Sequence, residues 1–315
     1  MSLDTNTRIV LFGAAGLVGQ NLALLLAQSG YTNLIGIDKH HTNIDVLRRL
    51  NPRMDIVEAD LSQVGPWQSA LAGARLGVIL QAQIGGKFYE EFLANNVRAT
   101  ELILDACRRV GIEYLVHISS SVVNSLADDF YTRSKKAQEE IVRASGIPNC
   151  VLRPTLMFGW FDRKHLGWLS RFMHSSPVFP IPGSGRYMRQ PLYVLDFCRI
   201  ILRCLERRPQ GDVFDITGRE RVDYIDIIRS IKRVTRAPAA IVRIPVRLFR
   251  ALLRLYAFVD RDPPFTVQQL QALVTPDQFD LIPWWDIFDV RSTPFEEALE
   301  ETFGHPQHAN IRLDF

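Results

Sequence analysis

The chain has little cysteine. Its 315 residues hold four, Cys107, Cys150, Cys198 and Cys204, with no Cys-x-x-Cys pair and no paired framework. That excludes a disulfide-stapled scaffold and reads as reduced, buried thiols in a cytosolic protein. Charge of one sign is also scarce. Lys+Arg number 37 against Asp+Glu 34, a net +3, which gives no basic field to support nucleic-acid binding. No apolar run approaches the roughly 20 residues that span a bilayer. Polar residues lead straight into the first apolar segment, so no secretory signal is read. Without an address, the expected location is the cytoplasm. Repeats and low-complexity segments are missing, and no metal is expected.

What is present is an ordinary globular composition, 47% hydrophobic and 23% charged. The length allows a large core, in one big domain or two moderate ones. The chain is organised around its start. Ile9 to Phe12 is a short apolar run that reads as a buried strand. Gly13, Gly16 and Gly19 follow at three-residue spacing, and Leu17, Asn21, Leu24 and Leu25 then keep a helical period. A glycine turn between strand and helix brings backbone N–H groups up to an anion at the helix N-terminus. Gly13 permits a sharp turn, Gly16 a close approach to a pyrophosphate, and Gly19 close packing of helix on strand. Ala15, Leu17 and Val18 complete this candidate dinucleotide loop.

A second strand, Asn33 to Asp38, ends on an acid 19 residues after Gly19. A carboxylate there accepts hydrogen bonds from adenosine ribose hydroxyls and repels a 2′-phosphate, so NAD is expected over NADP. Lys39 and His40 follow and soften that repulsion. Strand and helix then alternate as βαβ units do: helix 45–50, strand 54–60, helix 66–71, strand 76–80, a long helix 88–111, strand 114–119, helix 131–145 and strand 150–154. After Pro154 prolines and glycines cluster. A helix over 194–206, a strand over 213–216 and a helix over 224–236 are expected to rejoin the first sheet. From Ile244 onward the chain reads as helix and loop, broken at Pro263-Pro264 and Pro283.

The chemistry is carried by Tyr131-Thr-Arg-Ser-Lys135, which opens a helix soon after Ser119-Ser120-Ser121 closes a strand. A tyrosine and a lysine four apart share one helical face. The expected effect is that the ammonium lowers the phenol pKa by favouring the phenolate. A phenol so tuned exchanges a proton with a substrate hydroxyl, and a serine at the neighbouring strand end bonds the same oxygen.

Together these residues resemble the extended short-chain dehydrogenase/reductase family, of the nucleotide-sugar epimerase/dehydratase type. The resemblance rests on Gly13-Ala-Ala-Gly16-Leu-Val-Gly19, Asp38, Asp60-Leu61, Asn96-Val97, Ser119-Ser120, Tyr131 to Lys135 and Arg153-Pro154, over the first half to two-thirds of the chain. It implies an α/β, Rossmann-type doubly wound parallel sheet with tightly held NAD and a smaller, mainly helical C-terminal substrate domain. The implied division is 1–155 for the dinucleotide domain, rejoined by about 190–235, with 156–189 and 236–315 around the substrate. It also implies Ser120, Tyr131 and Lys135 as catalytic. Asp60 and Leu61 would lie at the adenine, and Gln81, Ala82, Ser119 and Pro154 near the nicotinamide. Asn96 would support the lysine. The helices at 88–111 and 131–145 would pair across a homodimer axis.

The chain also departs from that pattern. Gln81-Ala82-Gln83 stands where the family carries Leu-Ala-Ala, and the two glutamines either bind a polar substrate or satisfy each other. Ser121-Val122 stands where 4,6-dehydratases place an acid pair, so dehydration is disfavoured. Gln83 and Ser121 remain candidate substrate contacts. Farther on, Arg189 is the candidate bidentate clamp on a diphosphate and Arg186 a second one, while Asp196 is expected to cap the following helix. Arg243, Arg247, Arg250 and Arg254 form a basic helical stripe with Phe249, Leu252, Leu253 and Tyr256 largely off it. This is read as the wet face of a docked helix rather than as membrane contact. Trp284-Trp285 is expected to be local core.

The expected function is therefore an NAD-dependent nucleotide-sugar epimerase, oxidising a carbinol to a keto intermediate and reducing it again on the other face. The alternatives are a dehydrogenase or reductase of a lipid-like alcohol, and a non-catalytic dinucleotide-binding subunit. The last rests on Phe265 to Leu273 and Arg291 to Leu299, which are similar to relatives of a respiratory complex I accessory subunit.

Overall fold

Short Val-, Ile- and Leu-rich segments pair in parallel to build the central sheet, as segments buried on both faces do. A computed structural model describes residues 3–259, 267–274 and 280–314. The strands are β1 (Ile9–Phe12), β2 (Leu34–Asp38), β3 (Asp55–Glu58), β4 (Leu76–Ile79), β5 (Tyr114–Ile118) and β6 (Asn149–Pro154). A seventh strand, Val213–Ile216, pairs in parallel with β6, and the order across the sheet is Val213–Ile216, β6, β5, β4, β1, β2, β3. Both faces are covered. Ile9, Leu11, Val78, Val116 and Leu152 pack on one side, and Val10, Phe12, Ile35, Ile79 and Leu115 on the other.

The helices alternate with the strands: α1 (Leu17–Gln28), α2 (His41–Leu50), α3 (Trp67–Ala70), α4 (Tyr89–Phe92), α5 (Ala99–Val110), α6 (Phe130–Arg143), α7 (Leu166–Ser175), α8 (Val194–Arg207) and α9 (Tyr224–Thr235). The later helices are α10 (Val246–Val259), α11 (Val267–Val274), α12 (Trp284–Ile287) and α13 (Phe295–Gly304). α1 packs on α8, while α9 packs on α7 and α13 rather than on the sheet. Among the described residues, no helix is long and apolar enough to cross a membrane.

The strand order reverses direction between β1 and β4. In an open parallel sheet that reversal opens a crevice at the carboxyl ends of the strands. Gly13 follows β1 and Gln81 follows β4, and they meet there. A Cβ on Gly13, whose φ is +87°, would sit 2.6 Å from the Gln81 nitrogen. A Cβ on Gly19 would come within 2.5 Å of the Ala14 oxygen, so this glycine lets α1 lie against the turn.

Three features differ from the sequence expectation. The helix read as continuous over 88–111 contains a π-helical stretch, Leu93–Arg98, between α4 and α5. The proline-rich region after Pro154 is not all loop: Val178–Pro182 and Ala240–Ile244 pair as a two-stranded parallel ribbon. Helix α7 was not expected, because it sits between proline- and glycine-rich turns. Pro263-Pro264 and the beginning of the Phe265–Leu273 run lie outside the described residues.

Candidate active site

The glycine loop is tied from below by the second strand. Gly13 N and Ala14 N donate to Ile37 O at 2.8 and 3.2 Å, and Ala15 N donates to Asp38 Oδ2 at 2.9 Å. Asp38 Oδ1 takes Lys39 N and His40 N at 2.7 and 3.1 Å. Its carboxylate is thus already a bracket between β2 and the loop, a role that residue spacing did not show. The N-cap of α1 is Gly16, which has no side chain to cap it. The first-turn N–H groups of a helix have no partner within it, so those of Leu17, Val18 and Gly19 remain for an anion. Asp60 lies two residues past β3 and accepts from Ser62 N and Oγ at 2.9 and 2.7 Å. Lys39 Nζ lies 3.5 Å from Asp60 Oδ2. Leu61 beside it is buried.

Ser119, Ser120 and Ser121 follow β5, and α6 begins nine residues later at Phe130. Asp129 caps α6 by accepting Thr132 N at 2.9 Å, which fixes Tyr131 in the first turn. Burial raises the Tyr131 phenol above its ordinary pKa, the nearby Ser120 hydroxyl works against that, and Asp129 adds to it.

Lys135 corrects the sequence reading. It does not act on the phenol's pKa in this structure. It is fully buried, and its Nζ donates to Ile118 O at 3.0 Å and Gln138 Oε1 at 2.6 Å. Burial holds the amine down to about 7, with Glu139 pulling the other way. The physical reason is direction: the ammonium turns into the protein under the end of β5 and takes a carbonyl there.

The surrounding polar layer combines residues that spacing could not assemble. Gln138 Nε2 and Gln81 Nε2 both donate to Thr100 Oγ1, at 2.9 and 3.1 Å. Thr100 Oγ1 donates to Asn96 O at 2.7 Å. Asn96 sits in the π-helical stretch, accepts Gln83 N at 2.6 Å and donates to Ser134 Oγ at 2.9 Å. Gln81 and Gln83 therefore do not satisfy each other. Gln83 Oε1 instead accepts Asn95 Nδ2 at 3.0 Å. His117, buried in β5, is kept neutral by desolvation and by the Lys135 charge.

Glu139 is the clearest residue the motif reading missed. It falls four positions beyond Lys135, continuing the spacing from Tyr131, and that repeat was the available signal. Its carboxylate accepts Ser119 Oγ at 2.8 Å and Arg153 Nε and Nη2 in a buried bidentate pair, at 3.0 and 2.5 Å. Arg153 also donates to Asn124 Oδ1 at 2.9 Å. The strand end that presents Ser120 is thereby braced to α6 and β6. Pro154 closes β6 opposite Ile216.

The substrate-side candidates do not converge on this cluster in the same way. Arg189 donates to Met188 O at 2.8 Å and to Leu273 O of α11, and Arg186 is exposed. Asp196 does not cap α8. It accepts Thr293 N and Oγ1, both at 2.7 Å, and pins the C-terminal segment. Trp284 is core, with its Nε1 on Thr217 O at 2.8 Å, and Trp285 packs edge-on against it.

The sequence profile of the NAD dependent epimerase/dehydratase family matches residues 9–217. The chain belongs to that family. Membership makes this epimerase/dehydratase-family chain an NAD-dependent enzyme of oxidoreductase or isomerase type. Solved structures of similar fold include UDP-glucuronic acid 4-epimerase from Bacillus cereus in complex with NAD, at a TM-score of 0.71 and 20% identity over 95% of this chain and 96% of that one. UDP-glucose 4-epimerase from Thermotoga maritima with UDP-glucose gives 0.75 and 17% identity over 95% and 98%. Among curated relatives, a ceramide reductase of Caulobacter vibrioides is 24% identical over 78% of this chain and 76% of its own length. The mitochondrial NADH dehydrogenase (ubiquinone) 1 alpha subcomplex subunit 9 of Dictyostelium discoideum is 28% identical over 69% of this chain, which spans 62% of it.

The site fits the family cofactor on its own observations. The helix N-terminus behind Gly16 carries no side-chain cap. A Cβ on Gly16 would meet only the Gly13 oxygen, at 3.6 Å. Beneath the crevice, Gln81 Oε1 is buried with no hydrogen-bond partner among the described residues.

Proposed function

We propose that this family member moves hydride at a carbinol carbon, in the form of a nucleotide-sugar epimerase. The observation that supports the reading is that Ser120, just past the carboxyl end of β5, neighbours Tyr131 in the first turn of α6, on the side of the sheet where the glycine loop opens. A substrate hydroxyl set against both exchanges its proton with the Tyr131 phenol oxygen, while Ser120 Oγ bonds the same oxygen and orients it. Gly13, Ala15, Gly16, Leu17, Val18 and Gly19 would hold the NAD pyrophosphate, Asp38 the adenosine ribose, and Asp60 and Leu61 the adenine. Gln81, Ala82, Asn96, Ser119, Lys135 and Pro154 would border the nicotinamide half. When bound, NAD supplies a hydride acceptor and donor.

Lys135 positions the end of β5 through Ile118 O. The Glu139–Arg153 pair keeps the Ser119-Ser120 backbone from shifting as a substrate enters. Gln83 and Ser121 would be substrate contacts.

A second reading, a reductase of a lipid-like carbonyl, is favoured by one observation. Arg189, the candidate diphosphate clamp, donates to two backbone carbonyls instead. The ceramide reductase relative agrees with it. Mass spectrometry of ligands released by denaturing the purified protein, with turnover assayed without added nicotinamide, separates the two. NAD together with a sugar nucleotide, and epimerisation without added cofactor, support the first. Turnover that consumes NADH or NADPH one-for-one with a lipid ketone, and none with UDP-sugars, overturns it.

A further inference from the structure

Residues 227–259 hold eight arginines and lysines and no aspartate or glutamate. Helix α10 ends that stretch, and its orientation departs in part from the expectation for a docked amphipathic helix. Val246, Phe249, Arg250 and Leu253 are the half-buried positions, on the side that meets the protein. There Arg250 Nη2 donates to Gln271 Oε1 of α11 at 3.3 Å. Leu248, Leu252 and Leu255 point outward, 49%, 50% and 64% exposed. Spaced four and three apart, they form one stripe, with Ala251 exposed among them. Arg247 and Arg254 are exposed beside the stripe, and Arg243 is exposed just before the helix. The basic positions were expected to be the wet face. Instead one of them turns inward, and three leucines stand in water. The Tyr256 side chain lies outside the described residues.

A row of exposed leucines marks a surface that something covers. Its surroundings identify the cover. A protein partner offers mixed charge, whereas among the described residues the charged side chains on α10 and just before it are all arginines. Apolar side chains projecting past guanidinium groups match the boundary of an anionic bilayer, where acyl chains lie just below phosphates. We propose that α10 seats the protein on an anionic lipid surface, with Leu248, Leu252 and Leu255 in the acyl boundary and Arg243, Arg247 and Arg254 on the headgroup phosphates. The inference does not depend on which substrate occupies the crevice.

The test is flotation of the intact protein with vesicles of phosphatidylcholine carrying about 30% phosphatidylglycerol, beside vesicles of phosphatidylcholine alone, at about 0.05 M and about 0.5 M salt. Binding to the anionic vesicles should exceed binding to neutral ones about tenfold or more and should fall at high salt. Arg247→Gln and Arg254→Gln should each lower partitioning about fivefold. Leu252→Glu with Leu255→Glu should abolish it. All of these positions are exposed, and unchanged NAD retention by each variant checks the fold. Three results overturn the proposal: no flotation, flotation that survives the two glutamates, or a dimer in light scattering that the glutamates dissociate, because a second copy would then be the cover.

Discussion

The charged groups of the two halves of this chain are spent differently. In the sheet half three near the crevice are buried and closed by named partners: Asp38 by three backbone N–H groups, Lys135 by a carbonyl and an amide, Glu139 by Arg153 and Ser119. Beyond Pro154 Arg189 lies across nearby carbonyls, Arg203, Arg229 and Arg291 pair with carboxylates near them in sequence, and Arg186, Arg247 and Arg254 project into solvent. The first arrangement is what a reaction needs, because a proton-transfer group works only when held in place before substrate arrives. The second leaves the later part of the chain less tied down.

The sharpest way to break this contrast is Tyr131→Phe, which removes one oxygen from the braced half. Turnover of the substrate identified from released ligands should fall about 10³-fold with NAD retention unchanged, as measured by kcat/KM and bound-cofactor content. Turnover within about threefold of the parent would remove Tyr131 from the chemistry and level the two halves. Glu139→Gln should come next. It leaves Arg153, mostly buried, without its carboxylate, and unfolding free energy from urea titration should drop by about 3 kcal/mol. Gly13→Ala forces a side chain into a left-handed turn against Gln81. It should cost about 2 kcal/mol and weaken NAD binding about tenfold, read by calorimetry.

Lys135→Met tests the buried amine through pH. The folded pKa is held to about 7, below the usual lysine value of 10.5. Between those two values the unfolded chain binds more protons than the folded one, so this group's contribution to stability rises with pH across that window. Relative to Lys135→Met, the parent should gain about 1 kcal/mol per pH unit just above pH 7, with other titrating groups cancelling in the difference. The smallest effect is expected from Arg189→Ala. If the guanidinium serves backbone carbonyls, KM should move less than about threefold; a bidentate diphosphate clamp would move it about tenfold or more.

These differences also explain what could be read in advance. The strands of the main sheet were legible because each is a short apolar run between turn residues, and burial on both faces demands that. The glycine loop was legible because its constraint is local: Gly13 and Gly19 each leave no room for a Cβ. The partners of Lys135 were not, because Ile118 O, Gln138 and, behind them, Thr100 come from three separate elements. Nor was the ribbon of Val178–Pro182 and Ala240–Ile244, since Pro180 and Pro182 read as loop while a short edge pairing tolerates them. The facing of α10 was hidden for another reason. Its apolar residues fill two sides of the helix, so period alone could not choose which side meets the protein.

Asp38 bears on any attempt to recode cofactor choice. Replacing it with a small neutral residue is the direct way to admit the extra phosphate of NADP. Here the same exchange unties the amide of Ala15 from the second strand, and with it the turn that must receive the diphosphate. Preference and grip are therefore mechanically linked at this position, and a redesign has to supply a new tether before it can alter the choice.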